Sequence, residues 1–139
     1  MLINLLNESD QRKAFAELSR VLAPGGFYFM IEAFEEPFHG LNEVRAELGM
    51  PPIPMPFHNL FFKESIIAEM GRWGFQPHSM GVEPNFLSTH YFIARILHEA
   101  VRGKDSKIHN TRFVEFFDQA LPENVGNYGA IKFYSFRKR

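Results

Sequence analysis

Apolar positions along the chain change period several times, and each change marks an element. Residues 9–22 put Phe15, Leu18 and Leu22 on one stripe, widened by Ala14 and Val21, which predicts an amphipathic helix. Asn7 or Ser9 can cap its start, Asp10 suits its first turn, and Pro24, Gly25 and Gly26 stop it. Residues 27–34, FYFMIEAF, then alternate as a strand, with Phe27, Phe29 and Ile31 on one side and Tyr28 and Met30 on the other. Both sides are apolar, as in a strand covered by helices on both faces of a parallel sheet. The opening MLINLL is too short to type: it is a strand tail or a loop entering the helix.

Downstream, residues 41–48 predict a short helix. The four prolines within 50–57 predict an extended arm. Residues 63–73 carry Ile66, Ile67, Met70 and Trp73 on one helical stripe that ends at Gly74. Residues 75–83 are a weaker strand, interrupted by Pro77. Ser88 or Thr89 can cap a helix reaching about residue 102, with Ile93, Ile96, Leu97, Ala100 and Val101 inward and Gly103 as its stop. A polar loop at 103–110 leads to a helix marked by Phe113, Phe116, Phe117 and Ala120, which ends before Pro122. After the Gly126-Asn127-Tyr128-Gly129 turn, residues 130–136 predict the last strand. The whole is an α/β pattern of about three strands with helices on the faces of the sheet. It forms one domain over 1–139, without repeats or internal linkers.

Composition narrows the chemistry. The chain has 139 residues and 16 phenylalanines, which argue for a Phe-rich core or for an apolar pocket or interface. A net charge of −1 supplies no field toward nucleic acid or anionic membrane. With no cysteine there is no disulfide, thiolate metal site or cysteine nucleophile. No apolar run approaches the roughly 20 residues of a membrane span, and the start lacks a basic, then apolar, secretory leader. A cytoplasmic location without membrane insertion is therefore the expectation. The six histidines form no H-x-x-x-H or H-x-H pair, so no metal site is expected. Nucleophile-elbow, P-loop and dinucleotide glycine motifs are all absent from the sequence.

The remaining candidates are polar groups at the ends of elements. Glu32 ends the apolar strand, with Glu35 and Glu36 beyond it. There a carboxylate can accept hydrogen bonds or act as a base, or simply belong to a solvated acidic loop. His58 and Asn59 follow the proline arm, where they either read a ligand or anchor the loop. His90, Tyr91 and Arg95 surround a helix start, with His98 further along the same solvated or half-buried face. Asn127 and Tyr128 lie in the terminal turn.

One run carries more. DQRKAFAELSRVLAPGGFYFMIEAF, with Arg20-Val21-Leu22-Ala23-Pro24-Gly25-Gly26 at its centre, resembles the helix-to-fifth-strand segment of class I S-adenosylmethionine-dependent methyltransferases. FFKESIIAEMGRWGFQPHSMGVE is similar to that family's next helix and strand, GNYGAIKFYSFRKR to its final antiparallel strand, and LINLL to the segment after its fourth strand. The resemblance covers nearly the whole chain but omits the family's glycine-rich loop and the acidic residue after its second strand. It therefore implies the C-terminal half of a partial Rossmann-like sheet, with the last strand inserted antiparallel between the other two. The implied activity is methyl transfer to a small or lipid-linked acceptor. A non-catalytic binding or assembly module, or one subunit of a split enzyme, is the alternative. The resemblance places cofactor contact at Leu2 and Asn4. Where strand ends and loops should meet, the acceptor side falls to Glu32, His58, Asn59, His90, Tyr91, Arg95, Asn127 and Tyr128. It also implies a bare edge on the 27–34 strand, hence a homodimer or a complementary N-terminal half as partner.

Overall fold

The computed structural model describes residues 2–102 and 111–139, so Gly103 and the polar loop at 103–110 lie outside the described residues. The chain divides into two units. The first comprises residues 1–35, 55–84 and 131–139, and the second residues 36–54 and 85–130.

In the first unit, Asn7 takes an extended backbone and its side chain accepts a hydrogen bond from the Asp10 N–H at 2.8 Å, so Asn7 caps helix α1, Glu8–Val21. The apolar stripe of α1 delivers Phe15 to full burial, where it meets the rings of Tyr28, Phe62 and Trp73. The turn after α1 needs both its glycines. Gly25 has φ +79°, a conformation costly for any residue with a Cβ, and its N–H donates to the Lys138 carbonyl at 2.9 Å. At Gly26 a Cβ would stand 2.9 Å from the Ala23 carbonyl oxygen, and its own N–H donates to that oxygen.

Strand β1, Phe27–Ala33, follows. It pairs antiparallel with β3, Ile131–Lys138, in a register running from Phe27 opposite Arg137 to Ala33 opposite Ile131. The short β2, Phe75–Pro77, pairs antiparallel with the other side of β3, giving the order β1-β3-β2. The last strand of the chain is thus the central one. β2 follows helix α3, Ser65–Glu69, a 3₁₀ turn at Met70–Trp73 and Gly74, and it ends at Pro77, after which one more bond to β3 runs from the His78 N–H to the Ser135 carbonyl at 2.9 Å.

The doubly covered β1 expected from the sequence does not form. Tyr28, Met30 and Glu32 turn inward, and Met30 is 1% exposed. Phe27, Phe29 and Ile31, on the other face, are 45%, 49% and 54% exposed. The reason lies in the pairing: both strand pairings of the described sheet are antiparallel, and an antiparallel sheet tolerates one open face where a parallel one does not. Phe29 is accordingly no core anchor. It stacks on Phe27 and Phe133 across the open face. The far edge of β1 is closed only at its end, by a parallel bridge from Phe34 to Phe62. There the Phe62 N–H donates to the Ala33 carbonyl at 2.9 Å and the Glu35 N–H to the Phe62 carbonyl at 2.8 Å. Among the described residues no strand lies beside Phe27–Ile31 on that edge.

Helix α2 runs Glu35–Glu47, all but its first residue in the second unit, and begins earlier than the 41–48 pattern suggests. Glu35 and Glu36 therefore form a first helical turn rather than an acidic loop. That position suits carboxylates and tolerates Pro37. The following arm is neither helix nor strand over residues 50–56, and Asn42 fixes it by exchanging two hydrogen bonds with the backbone of Ile53. Helix α4, Ser88–Phe92, runs through a π turn at Ile93–Leu97 into α5, His98–Arg102. Neither Ser88 nor Thr89 caps α4. Leu87 holds the cap position, and the two hydroxyls donate to the carbonyls of Val125 and Pro122. The wider π turn shifts the apolar stripe, so Leu97 and Val101, expected inward, are exposed, and His98, expected on a solvated or half-buried face, is buried. Helix α6, Arg112–Ala120, is capped by the Thr111 hydroxyl and adds Val114 to a core with Ile93 and Ala94, flanked by Phe113 and Phe117. Among the described residues, no helix is long and apolar enough to cross a membrane.

Candidate functional site

Alternation along β1 carries Glu32 to the covered face, where a carboxylate at 5% exposure must find donors. It finds the first turn of the chain. The Leu2 N–H donates to Glu32 Oε1 at 2.7 Å and the Ile3 N–H to Oε2 at 3.4 Å, so the carboxylate holds the 3₁₀ turn Leu2–Asn4. The Ile3 carbonyl in turn accepts from the Leu60 N–H at 2.7 Å, and Gln11 donates to the Leu60 carbonyl at 2.8 Å. Asn59, the neighbour of Leu60, keeps a buried Oδ1 with no hydrogen-bond partner. The first unit thus brings Leu2, Glu32 and Asn59 into one linked corner. Asn4 and His58 are exposed, and the His58 ring meets that of Phe57. The same corner acts on Tyr28. Burial first, and the Glu32 charge second, push its phenol well above the ordinary tyrosine range.

His90, Tyr91, Arg95, Asn127 and Tyr128 all belong to the second unit. His90 Nδ1 lies 2.6 Å from Asp118 Oδ2 on α6. The pair opens onto a groove lined also by Phe86, Leu87, Thr89 and Glu123. Burial raises the Tyr91 phenol above its ordinary range, with the Arg95 charge pulling the other way. The Arg95 carbonyl accepts a hydrogen bond from the buried Arg45, which also pairs with Glu99 at 2.9 Å and donates to the Pro51 carbonyl at 3.0 Å. Tyr128 packs its ring on Phe92, and its N–H donates to Ser88 Oγ at 2.9 Å. Asn85 donates to the carbonyls of Asn124 and Gly126. These bonds pin the loop 122–128 against the start of α4. Asn127 itself is exposed.

The eight residues expected to meet an acceptor therefore form two groups, Glu32, His58 and Asn59 in one unit and the other five in the second. Sequence reasoning missed Asp118, because its partner lies 28 residues away and no local spacing pairs them. It also missed Arg45 and the fully buried character of His98, whose two ring nitrogens have no hydrogen-bond partner.

The residues assigned to the cofactor do not by themselves form a cradle for it. The Leu2 N–H is engaged by Glu32, and Asn4 is an exposed side chain on a single turn. No family model, curated protein or solved structure matches the chain.

Proposed function

We propose that this chain is the C-terminal, acceptor-side portion of a class I S-adenosylmethionine-dependent methyltransferase acting on a small molecule or lipid-linked acceptor. In this reading a complementary N-terminal half brings the glycine-rich loop and holds the cofactor. The observation that carries it is the state of β1: an apolar strand with Phe27, Phe29 and Ile31 uncovered on one face and its outer edge open from Phe27 to Ile31. A domain complete in itself rarely leaves a contiguous aromatic face beside an unprotected edge. The strand order β1-β3-β2 and the double-glycine turn before β1 support the same reading.

Calorimetry tests it. The chain alone should bind S-adenosylmethionine weakly or not at all. The polypeptide read through the in-frame sequence upstream of Met1 should bind at micromolar strength, about −8 kcal/mol. Micromolar binding by the chain alone, or none by the extended polypeptide, overturns the proposal. A stable homodimer that binds no cofactor in either form would instead favour a non-catalytic assembly module.

A further inference from the structure

We infer that the groove of the second unit beside His90 and Asp118 is a binding site for a cationic amine and that His90 takes a proton from that amine. The geometry on α4 and α6 comes first. Asp118 Oδ2, as a carboxylate oxygen, accepts from His90 Nδ1–H at 2.6 Å, which fixes the tautomer and leaves Nε2 as the basic nitrogen. The second oxygen, Asp118 Oδ1, is buried without a hydrogen-bond partner and out of a ligand's reach, so the Asp118 charge acts on the groove through His90 rather than by direct contact. Both side chains are about one-third exposed, at 35% and 31%, so the pair is reachable from solvent rather than sealed in a core.

Charge then selects the ligand. The described residues lining the groove are Phe86, Leu87, Thr89, His90, Asp118 and Glu123, which include two acidic residues and no lysine or arginine. A carboxylate or phosphate ligand would meet like charge there. An ammonium meets the His90 imidazole in the negative field of Asp118 and Glu123, and an apolar body attached to it meets Phe86 and Leu87. Around the imidazole, Tyr91 contacts the ring edge-on, and Arg95 lies beyond Tyr91 on the same helical run. In the proton step one N–H bond of the ammonium breaks and one forms at His90 Nε2. The nitrogen keeps the electron pair as a neutral, nucleophilic amine, and the imidazolium is stabilised by Asp118. His90 touches the ligand, and Asp118 acts through His90 as a positioning residue. The site stands on this geometry alone; only the step of equating its ligand with the methyl acceptor rests on the methyltransferase reading.

The test uses three probes of one shape, benzylamine, benzyl alcohol and benzoate, titrated into the full chain while NMR follows the His90 ring. Benzylamine should give a saturable shift of the His90 signals, with benzyl alcohol at least about tenfold weaker, the loss expected for one charge-assisted hydrogen bond. Benzoate should not bind. Asp118→Asn should weaken benzylamine more than it weakens benzyl alcohol, a split that a purely structural role for Asp118 would not produce. His90→Gln should remove the discrimination between amine and alcohol, with unchanged Phe92 and Tyr128 signals certifying the fold. Equal binding of benzoate, or benzylamine binding that leaves the His90 ring unmoved, overturns the inference. S-adenosylmethionine titrated into the same samples reports separately on the methyltransferase reading, so either idea can fall without the other.

Discussion

The two faces of β1 both carry large apolar residues in sequence and are opposite in fate, and the face that also holds Glu32 is the covered one. Tyr28 packs with Phe15, Phe75 and Phe136 and Met30 is buried on the same face, whereas Phe27, Phe29 and Ile31 lie open, with Phe29 beside Phe133. Hydrophobicity therefore marks where a strand wants cover, and the rest of the chain decides where cover is supplied. One face is closed by elements this chain carries. The other has the composition of a core and the exposure of a surface.

The largest expected effect separates the faces outright. Met30→Lys places a charge at a position 1% exposed and should cost more than about 4 kcal/mol, read by urea unfolding. Phe29→Lys, one residue earlier, should leave the chain folded. Truncation gives a graded version: Met30→Ala should cost about 2–5 kcal/mol and Phe29→Ala only about 1 kcal/mol, because a half-exposed ring has half its burial to lose. With unfolding read at concentrations low enough to keep the chain monomeric, equal costs for the two would mean that the open face is covered within one chain and would break the comparison.

Association comes next. Light scattering on the parent should give a mass above the 16.1 kDa of one chain, and Phe29→Lys should bring it down to a monomer. A strictly monomeric parent at high micromolar concentration would remove the open edge and face as a contact.

The smallest effect concerns pH. Tyr28 has its pKa raised above the ordinary value of 10.0 by burial, then by Glu32. Its protonated form is favoured in the fold, so the stability it contributes is complete below the unfolded pKa and is lost as pH rises through the folded one. The melting temperature of the parent should fall more steeply above about pH 10 than that of Tyr28→Phe. Parallel curves would place Tyr28 outside the covered face.

The candidate site was partly legible for the same kind of reason. Glu32 could be found because it ends an apolar strand, and a carboxylate there demands donors. That the donors are the N–H groups of Leu2 and Ile3 could not be read, since 29 and 30 residues separate them and backbone donors leave no mark in a sequence. His90 stood out as a polar residue at a helix start. Asp118 did not, because on α6 it is one polar position among several until the helices are placed together.

What the sequence determined by itself is local. It specified α1 to within a residue at each end with Asn7 as one of two candidate caps, the double-glycine turn, β1 to within a residue and the place of β3, because capping and positive φ act within a few residues, whereas the strand expected over 75–83 is only Phe75–Pro77. Tertiary structure alone decided that β3 enters between β1 and β2, that one face of β1 stays open, that the π turn rotates His98 inward, and that Asp118 orients His90. Each of these depends on groups distant along the chain meeting in space, and pairing, burial and charge acquire their energies only after that meeting.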